Sequence, residues 1–134
     1  MENDITKKIQ IALSAIHSRL FRNNTGTGWV GKKENRQNGI FIENPRPLKA
    51  GLHPGSSDLI GWTVKEITPD MVGSEVAIFT AIEVKSPGGR LSQKQILFIK
   101  RVREDGGLAF KAESDQEAME KLTTQLNESY RAKG

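Results

Sequence analysis

The chain contains 134 residues, of which 36% are hydrophobic and 27% are charged, and its formal net charge is +4. This length and composition predict one soluble domain over residues 1–134, and the positive charge is compatible with a polyanionic partner. The absence of cysteine excludes disulfides, thiolate zinc sites and cysteine catalysis, and two histidines are too few for a histidine-rich metal site.

The N-terminal region predicts a helix. Apolar residues recur at roughly helical spacing between positions 4 and 20, at Ile5, Ile9, Leu13, Ile16 and Leu20. The opening stretch MENDITKKIQ lacks the charged-then-apolar order of a signal peptide. No apolar segment reaches the roughly 18 residues of a transmembrane helix. We therefore expect a cytoplasmic protein that does not cross a membrane.

The region after this helix has weaker patterns. A polar segment at 22–28 is followed by residues 29–54, in which Trp29-Val30 and Ile40–Ile42 indicate short strands. Prolines at 45, 47 and 54 are expected to break any longer element. We expect Trp29 and Trp62 to be buried in a core or an interface, with stacking on an unpaired base as the alternative.

Two strands follow. Residues 58–64, DLIGWTV, predict a strand that starts after a Gly-Ser-Ser turn. After a connector at 69–73, residues 76–85 predict the central strand, and their almost unbroken apolar run predicts burial on both faces. This strand ends in Glu83-Val84-Lys85, and alternation places Glu83 and Lys85 on the same side. A carboxylate and an ammonium group are costly to desolvate without partners, so this pair suggests a metal ligand and a positioned cation.

The last third of the chain completes an α/β pattern. A tight loop at 86–90 precedes a predicted helix at 92–104, a strand at 108–112 and a helix at 114–131. Gly106-Gly107 is expected to end the first of these helices, and Ser114 and Glu117 have the spacing of a capping box. The alternation of helix, strands, helix, strand and helix predicts an α/β layer fold.

Several motifs together resemble a known nuclease family. Asp58, Glu83-x-Lys85 and a following helix that begins SQKQILF are similar to the PD-(D/E)xK superfamily and, within it, to the VRR-NUC family in its short stand-alone phage and prophage form. The similar stretches are LFRNNTG at 20–26, GSSDLIG at 55–61, IEVK at 82–85, GRLS at 89–92 and QILF at 95–98. The resemblance implies a restriction-endonuclease-like core, with a central mixed sheet flanked by helices.

Two positions depart from the family pattern. The proline usual before the motif aspartate is Ser57 here, which alters only the turn that enters the strand. The first helix of the family usually begins with a glutamate, and the position in register is Asp4, with Glu2 one short step away. The resemblance implies that Asp4 supports the metal site, whereas an N-cap is the structural alternative.

The family implies phosphodiester hydrolysis with Mg²⁺ or Mn²⁺, which prefer oxygen ligands. Asp58, Glu83 and the backbone carbonyl of Val84 are then the implied metal ligands. Lys85 is expected to orient or help deprotonate the attacking water and to offset charge in the transition state. Gln95 is expected to hold the site or the water from the next helix.

Each of these residues also has an ordinary structural explanation. Glu83 and Lys85 alone could form a surface ion pair, and Asp58 could cap its own turn. Ser92-x-x-Gln95 matches a capping box, in which the glutamine bonds to the N–H of Ser92.

DNA is the implied substrate. The resemblance suggests that Arg22, Asn23 and Asn24 contact DNA phosphate near the active site, and Arg90 and Lys94 are placed to grip the backbone. An ordinary polar loop and a solvated helix face are the alternatives. The resemblance to the stand-alone members implies a four-way-junction resolvase that acts as a homodimer. A twofold dimer also matches the symmetry of paired incisions on a branched substrate. We therefore predict a metal-dependent Holliday-junction resolvase, the alternatives being a flap or sequence-reading nuclease and a non-catalytic DNA-binding module of a phage complex.

Overall fold

The structure is a computed structural model that describes residues 1–128. These residues belong to two compact units, Met1–Thr63 and a second unit that begins at Val64. Both units contain helices and strands, so the predicted α/β class is confirmed. The single domain expected from the chain length stays a prediction. Among residues 1–128, no helix has the length and apolar character needed to cross a membrane.

The N-terminal unit contains a helix and four strands: α1 (Glu2–Ser14), β1 (Ser18–Arg22), β2 (Gly26–Arg36), β3 (Gly39–Ala50) and β4 (Leu59–Thr63). β1 pairs antiparallel with β4, from Ser18 opposite Thr63 to Arg22 opposite Leu59. β2 and β3 pair with each other as a long antiparallel hairpin. The strand predicted at 58–64 is thus confirmed as β4.

The helix predicted over residues 4–20 is wrong at its C-terminal end. α1 ends at Ser14, and His17 has a φ angle of 63°, a left-handed conformation that an α-helix does not contain. Leu20 belongs to β1, where it is half-buried. The spacing of Ile16 and Leu20 therefore matches a helical period by coincidence, because Ile16 lies in the turn that precedes β1.

Pro45 and Pro47 do not break the region 29–54 as predicted, whereas Pro54 lies in the loop after β3. Pro45 and Pro47 both lie within β3, which is paired with β2 over most of its length. Each strand of a two-stranded ladder has one edge without a partner strand. A proline whose nitrogen faces that open edge removes no hydrogen bond from the ladder. The register shifts between Val30 and Lys32, which leaves Asn44 and Pro45 opposite Gly31 in a bulge.

The burial expected for the tryptophans differs between the two. Trp29 in β2 is 58% exposed, so it is not a core residue of its unit. Trp62 in β4 is half-buried, and the centroid of its ring lies 5.4 Å from the centroid of the Phe21 ring in β1.

The C-terminal unit contains a short 3₁₀ helix at Pro69–Met71, followed by β5 (Thr80–Val84), α2 (Gln93–Glu104), β6 (Leu108–Ala112) and α3 (Asp115–Glu128). β5 and β6 are parallel, with Thr80 opposite Leu108 and Val84 opposite Ala112. The predictions of α2 and β6 are confirmed, and the central strand is shorter than the predicted 76–85. The predicted end of the third helix at 131 lies outside the described residues.

Local signals explain the ends of the two helices. Ser92 caps α2, and Gly106, at a φ angle of 93°, ends it with the N–H of Gly107 bonded to the carbonyl of Val102. At α3, the Ser114 hydroxyl accepts from the N–H of Glu117, but the Glu117 carboxylate accepts from the N–H of Glu113. The capping box predicted at Ser114 and Glu117 is therefore only half formed, because the Glu117 carboxylate bonds to the N–H of Glu113 instead of the N–H of Ser114.

The strand buried on both faces is β6, not β5. Leu108, Ala109, Phe110 and Ala112 are at most 5% exposed, because β6 packs against both α2 and α3. In β5, by contrast, Ile82 is 43% exposed and Val84 is 75% exposed, whereas Ala81 and Glu83 are half-buried. The apolar run 77–85 therefore does not indicate burial on both faces within this unit.

A glutamine closes the free edge of β6. Gln125 of α3 is buried, and its amide nitrogen donates to the carbonyl of Ala109 at 2.9 Å. Its amide oxygen accepts from the N–H of Ala109 at 3.0 Å. Both backbone groups of a buried strand residue are thereby satisfied by one side chain, as buried polar groups require.

The substitution Gln125→Ala is expected to lower the free energy of unfolding by about 2–4 kcal/mol, because two buried backbone groups lose their partners. Urea denaturation of the full chain measures this change. Asn127→Ala, on an exposed position of the same helix, should change it by less than about 0.5 kcal/mol. Equal losses in the two variants would show that the Gln125 bonds contribute nothing specific.

Candidate active site

Glu83 and Lys85 lie together at the C-terminal end of β5. The Glu83 Oε1 atom is 3.6 Å from the Lys85 Nζ atom, and the side chains are 35% and 25% exposed, respectively. The N–H of Lys85 donates to the carbonyl of Ala112 at 3.1 Å, which extends the pairing with β6 past Val84. The prediction that alternation places both side chains on one side is confirmed.

Gln95 serves both the helix and the site. Its amide oxygen accepts from the N–H of Ser92 at 2.8 Å, and the Ser92 hydroxyl accepts from the N–H of Gln95 at 3.2 Å, so the capping box is present. Its amide nitrogen donates to Glu83 Oε1 at 2.8 Å. The capping-box explanation for Gln95 is therefore confirmed, and the other end of the same amide contacts Glu83. The role of Gln95 in holding the site or the water stays a prediction.

The donor atoms at the end of β5 fit a hard divalent cation. Glu83 Oε1 is engaged by Gln95 and Lys85, but Oε2 makes no hydrogen bond to any residue in the range 1–128. A trans peptide points its N–H and carbonyl in opposite directions, so the Val84 carbonyl faces away from β6. Mg²⁺ in proteins commonly takes one or two carboxylates and keeps several waters. Within residues 1–128, three Asp, Glu, His or Cys side chains do not gather at one place.

A tight turn follows the motif and lies against Lys85. The N–H of Gly89 donates to the carbonyl of Ser86 at 2.8 Å, and Gly88 has a φ angle of 82°, as a type II turn with Pro87 requires. A Cβ atom on Gly89 would lie 3.0 Å from the Cβ of Lys85 and 2.9 Å from the Ser86 carbonyl oxygen. The glycine therefore lets the turn pack directly on the stem of the lysine.

Two side chains bind the backbone of this turn: Lys111, which lies in β6, and Glu113, which directly follows β6. The Lys111 ammonium donates to the Gly89 carbonyl at 2.9 Å and to Glu113 Oε1 at 2.8 Å. The same carboxylate oxygen accepts from the N–H of Gly88 at 3.3 Å. The hydrogen bond from Lys111 is the main reason that the pKa of Glu113 is lowered. The sequence analysis missed both residues, although Lys111 is the single charge in the strand LAFKA.

Asp58 immediately precedes β4 in the N-terminal unit, and its side chain is exposed. Its backbone carbonyl accepts from the N–H of Asn23 at 2.8 Å, which extends the pairing of β1 with β4. The Asn23 amide donates to the Ser56 hydroxyl at 2.7 Å and to the Ser57 carbonyl at 2.9 Å, and it accepts from the N–H of Leu52 at 2.9 Å. Asn23 thus fixes the loop that leads to Asp58, and its role as a DNA contact stays a prediction.

The remaining predicted residues are exposed. Asp4 lies in the first turn of α1, whose N-cap position is Met1, so the alternative of an Asp4 N-cap is wrong. The Arg22 guanidinium donates to the amide oxygen of Asn3 at 2.7 Å. Lys94, together with Glu83 and Gln95, lines a cavity of about 380 Å³. Asn24 and Arg90 are exposed in their respective loops, and their contacts with DNA stay predictions.

The comparison with protein families identifies the class. A family model described as VRR-NUC domain matches residues 45–116, which is more than half of the chain. The chain therefore belongs to the VRR-NUC family, a family of nucleases with a restriction-endonuclease-like fold. A nuclease domain implies DNA as the substrate, and its superfamily generally uses divalent metals. No curated protein and no solved structure matches the chain.

The matched segment contains most of the predicted site. It includes Asp58 and the residues from the second unit, namely Glu83, Val84, Lys85, Arg90, Lys94 and Gln95. Asp4 and the segment 22–24 lie before it, so the family match does not bear on them.

Gln95→Ala is expected to lower cleavage by roughly 10- to 100-fold, because it releases a carboxylate that we expect to hold metal. Ser92→Ala is the matched control, since it removes the other half of the same capping box and costs about 0.5–2 kcal/mol of stability. Steady-state cleavage and thermal unfolding of both variants separate the two functions of Gln95. If Gln95→Ala and Ser92→Ala lost the same activity at the same stability, the only function of Gln95 would be to cap the helix.

Glu113→Gln is expected to make the stability of the fold less sensitive to a fall in pH. A lowered pKa means that the charged Glu113 stabilises the fold above the ordinary carboxyl range, and that this contribution is lost as pH falls through the folded-state pKa. The melting temperature of the wild type should therefore fall more between neutral and acidic pH than that of Glu113→Gln. Glu104→Gln, which removes an exposed carboxylate paired with Lys100, controls for the loss of one charge.

Proposed function

We propose that this nuclease is a metal-dependent, structure-specific endonuclease that cuts four-way DNA junctions as a homodimer. The observation that carries the metal-dependent chemistry in this proposal is the arrangement at the end of β5, where Glu83 keeps one carboxylate oxygen available while Gln95 and Lys85 engage the other. An ion pair with no further purpose would not need a helix-capping glutamine aimed at its carboxylate. We place the reaction in the cytoplasm of a bacterial host that carries the phage or prophage form of the domain.

In this proposal Glu83 Oε2 and the Val84 carbonyl hold Mg²⁺ or Mn²⁺, with Asp58 as a further carboxylate ligand. The part of Asp58 rests on its position in the family pattern, not on a distance. When bound, the metal polarises the scissile phosphate and lowers the pKa of a bound water. Asp4 is proposed as an additional support of the metal site on the same ground of family pattern.

Lys85 acts on the attacking water and on the charge that develops at phosphorus. Addition of water breaks one phosphoester bond and yields a phosphate monoester and an alcohol. The Lys85 ammonium, held by Glu83, orients the water and stabilises the additional negative charge of the transition state. Arg90, Lys94 and the segment Arg22–Asn24 are proposed to contact the DNA backbone, which fixes the substrate without reading its sequence.

The step from nuclease to junction resolvase rests on the resemblance to the stand-alone members of the family. A twofold-symmetric dimer presents two identical sites to a branched substrate, which matches paired incisions in opposite strands.

Lys85→Ala is expected to reduce the cleavage rate by at least about 10²-fold, because the transition state loses a preorganised cation. Binding of a labelled junction should be retained, as measured by gel shift in the presence of chelator. Lys100→Ala, which removes an exposed lysine of α2 paired with Glu104, should cut at the wild-type rate. A Lys85→Ala enzyme with wild-type activity would refute the catalytic assignment.

The substrate itself is tested with an immobile four-way junction, a matched flap and a linear duplex, each with Mg²⁺, Mn²⁺ or chelator. Metal-dependent paired nicks on the junction alone are the expected result. Cleavage of the flap instead would retain the nuclease chemistry and overturn the resolvase assignment, and cutting of the linear duplex at a defined site would indicate a sequence-reading nuclease. Binding without cleavage of any substrate would favour a non-catalytic module.

A further inference from the structure

The β2–β3 hairpin carries most of the net charge of the chain. Residues 26–50 contain five Lys and Arg and two Asp and Glu, a net charge of +3 against +4 for all 134 residues. Almost every side chain in β2 and β3 is exposed, and only Val30 and Ile42 are half-buried. Residues 26–44, which form all of β2 and the first half of β3, lie outside the segment matched by the family model.

The two faces of this hairpin differ in charge. The extra residue of the bulge lies in β3, so side chains in β2 continue to alternate across it. A Cβ atom on Gly31 would lie 2.7 Å from Cγ2 of Ile42, the partner of Lys33, which places positions 31 and 33 on one face. We name this face the lysine face; its members include Trp29, Lys33, Asn35, Ile40, Ile42 and Lys49.

The acidic residues of the hairpin all lie on the opposite face. Residues opposite each other in the ladder share a face, so Glu43 lies beside Lys32, and Glu34 lies beside Phe41. Glu34 is 3.7 Å from the Arg36 guanidinium, which also covers the Phe41 ring at 4.0 Å. On the opposite face, Lys32 lies beside Glu43 and Arg36 contacts Glu34 and Phe41, and a third cation, Arg46, lies opposite Val30. The opposite face thus mixes cations with two carboxylates, whereas the lysine face contains two lysines and no carboxylate.

We propose that the lysine face binds a duplex arm of the DNA substrate. Two lysines, Lys33 and Lys49, with no carboxylate on their face complement the phosphate backbone, and each phosphate neutralised by a lysine releases counterions. A twisted two-stranded ribbon has the dimensions to follow a groove of B-form DNA. The exposed Trp29 shares this face, so its side chain is accessible to a DNA strand that lies on the face. The proposal adds a DNA-binding surface to the proposed function and therefore rests on it.

The experiment compares two double variants of the full chain, each of which removes two positive charges from the hairpin. Lys33→Ala with Lys49→Ala changes the lysine face, and Lys32→Ala with Arg36→Ala changes the opposite face. Affinity for a four-way junction is measured in chelator at several salt concentrations. The first variant should bind roughly 10-fold or more weakly at about 0.1 M salt, and its slope of log Kd against log salt should fall by about 2. The control variant should lose much less affinity.

Tryptophan fluorescence gives a second measurement that does not depend on altered charge. The chain has two tryptophans, so Trp62→Phe leaves Trp29 as the single reporter. Addition of junction or linear duplex should quench or shift its emission, and the Lys33 and Lys49 substitutions should weaken that response. Far-UV circular dichroism confirms that each variant retains the wild-type fold, and Lys33→Gln with Lys49→Gln replaces the alanine pair if the latter does not.

Three results would overturn the proposal. Equal losses of affinity in the two double variants would show that net charge alone matters, and an unchanged Trp29 emission at saturating DNA would show that the face stays free. A change in oligomeric state by light scattering, without a change in DNA affinity, would assign the lysine face to a second copy of the chain. A wild type that binds DNA through this face but never cleaves it would overturn the proposed function instead and leave this surface intact.

Discussion

The candidate site depends on a balance of charge at the end of β5. Glu83 and Lys85 are both half-buried, so each charge is partly desolvated and is stabilised by the other. Their separation of 3.6 Å is long enough for attraction without a tight hydrogen bond. The carboxylate therefore keeps its Oε2 atom for another cation, and the ammonium keeps donors for a water or a phosphate.

In both units, side chains that are not proposed as catalytic or metal-binding residues hold the loop next to one that is. Asn23 uses both ends of its amide to fix residues 52–57 before Asp58. Lys111 and Glu113 bind the backbone of Gly88 and Gly89 after Lys85. Loop backbone groups must find partners, and these partners also set the position of the neighbouring functional side chain. The motif supplies the reactive groups, and the surrounding strands supply their rigidity.

Local signals account for the parts of the fold that could be predicted. Ser92, Gly106 and the apolar run LAFKA define α2 and β6 within the chain itself, and alternation alone placed Glu83 beside Lys85. The errors arise where the outcome depends on distant residues. Prolines are tolerated in β3 because of how it pairs, and β6 rather than β5 is buried on both faces because α2 and α3 both pack on it. Lys111 and Glu113 act on a turn more than twenty residues away, a contact that no local pattern reveals.

Gln95 shows how one residue type can satisfy a local rule and a distant requirement together. A capping box accepts glutamate or glutamine at its last position, since only an oxygen acceptor is needed. A glutamate at position 95 would cap α2 equally well, but it would present a second carboxylate to Glu83. An amide has an acceptor at one end and donors at the other, so it can cap the helix and still stabilise the neighbouring anion. The cap of α2 alone is thus compatible with either residue, whereas the donation to Glu83 requires the amide of glutamine.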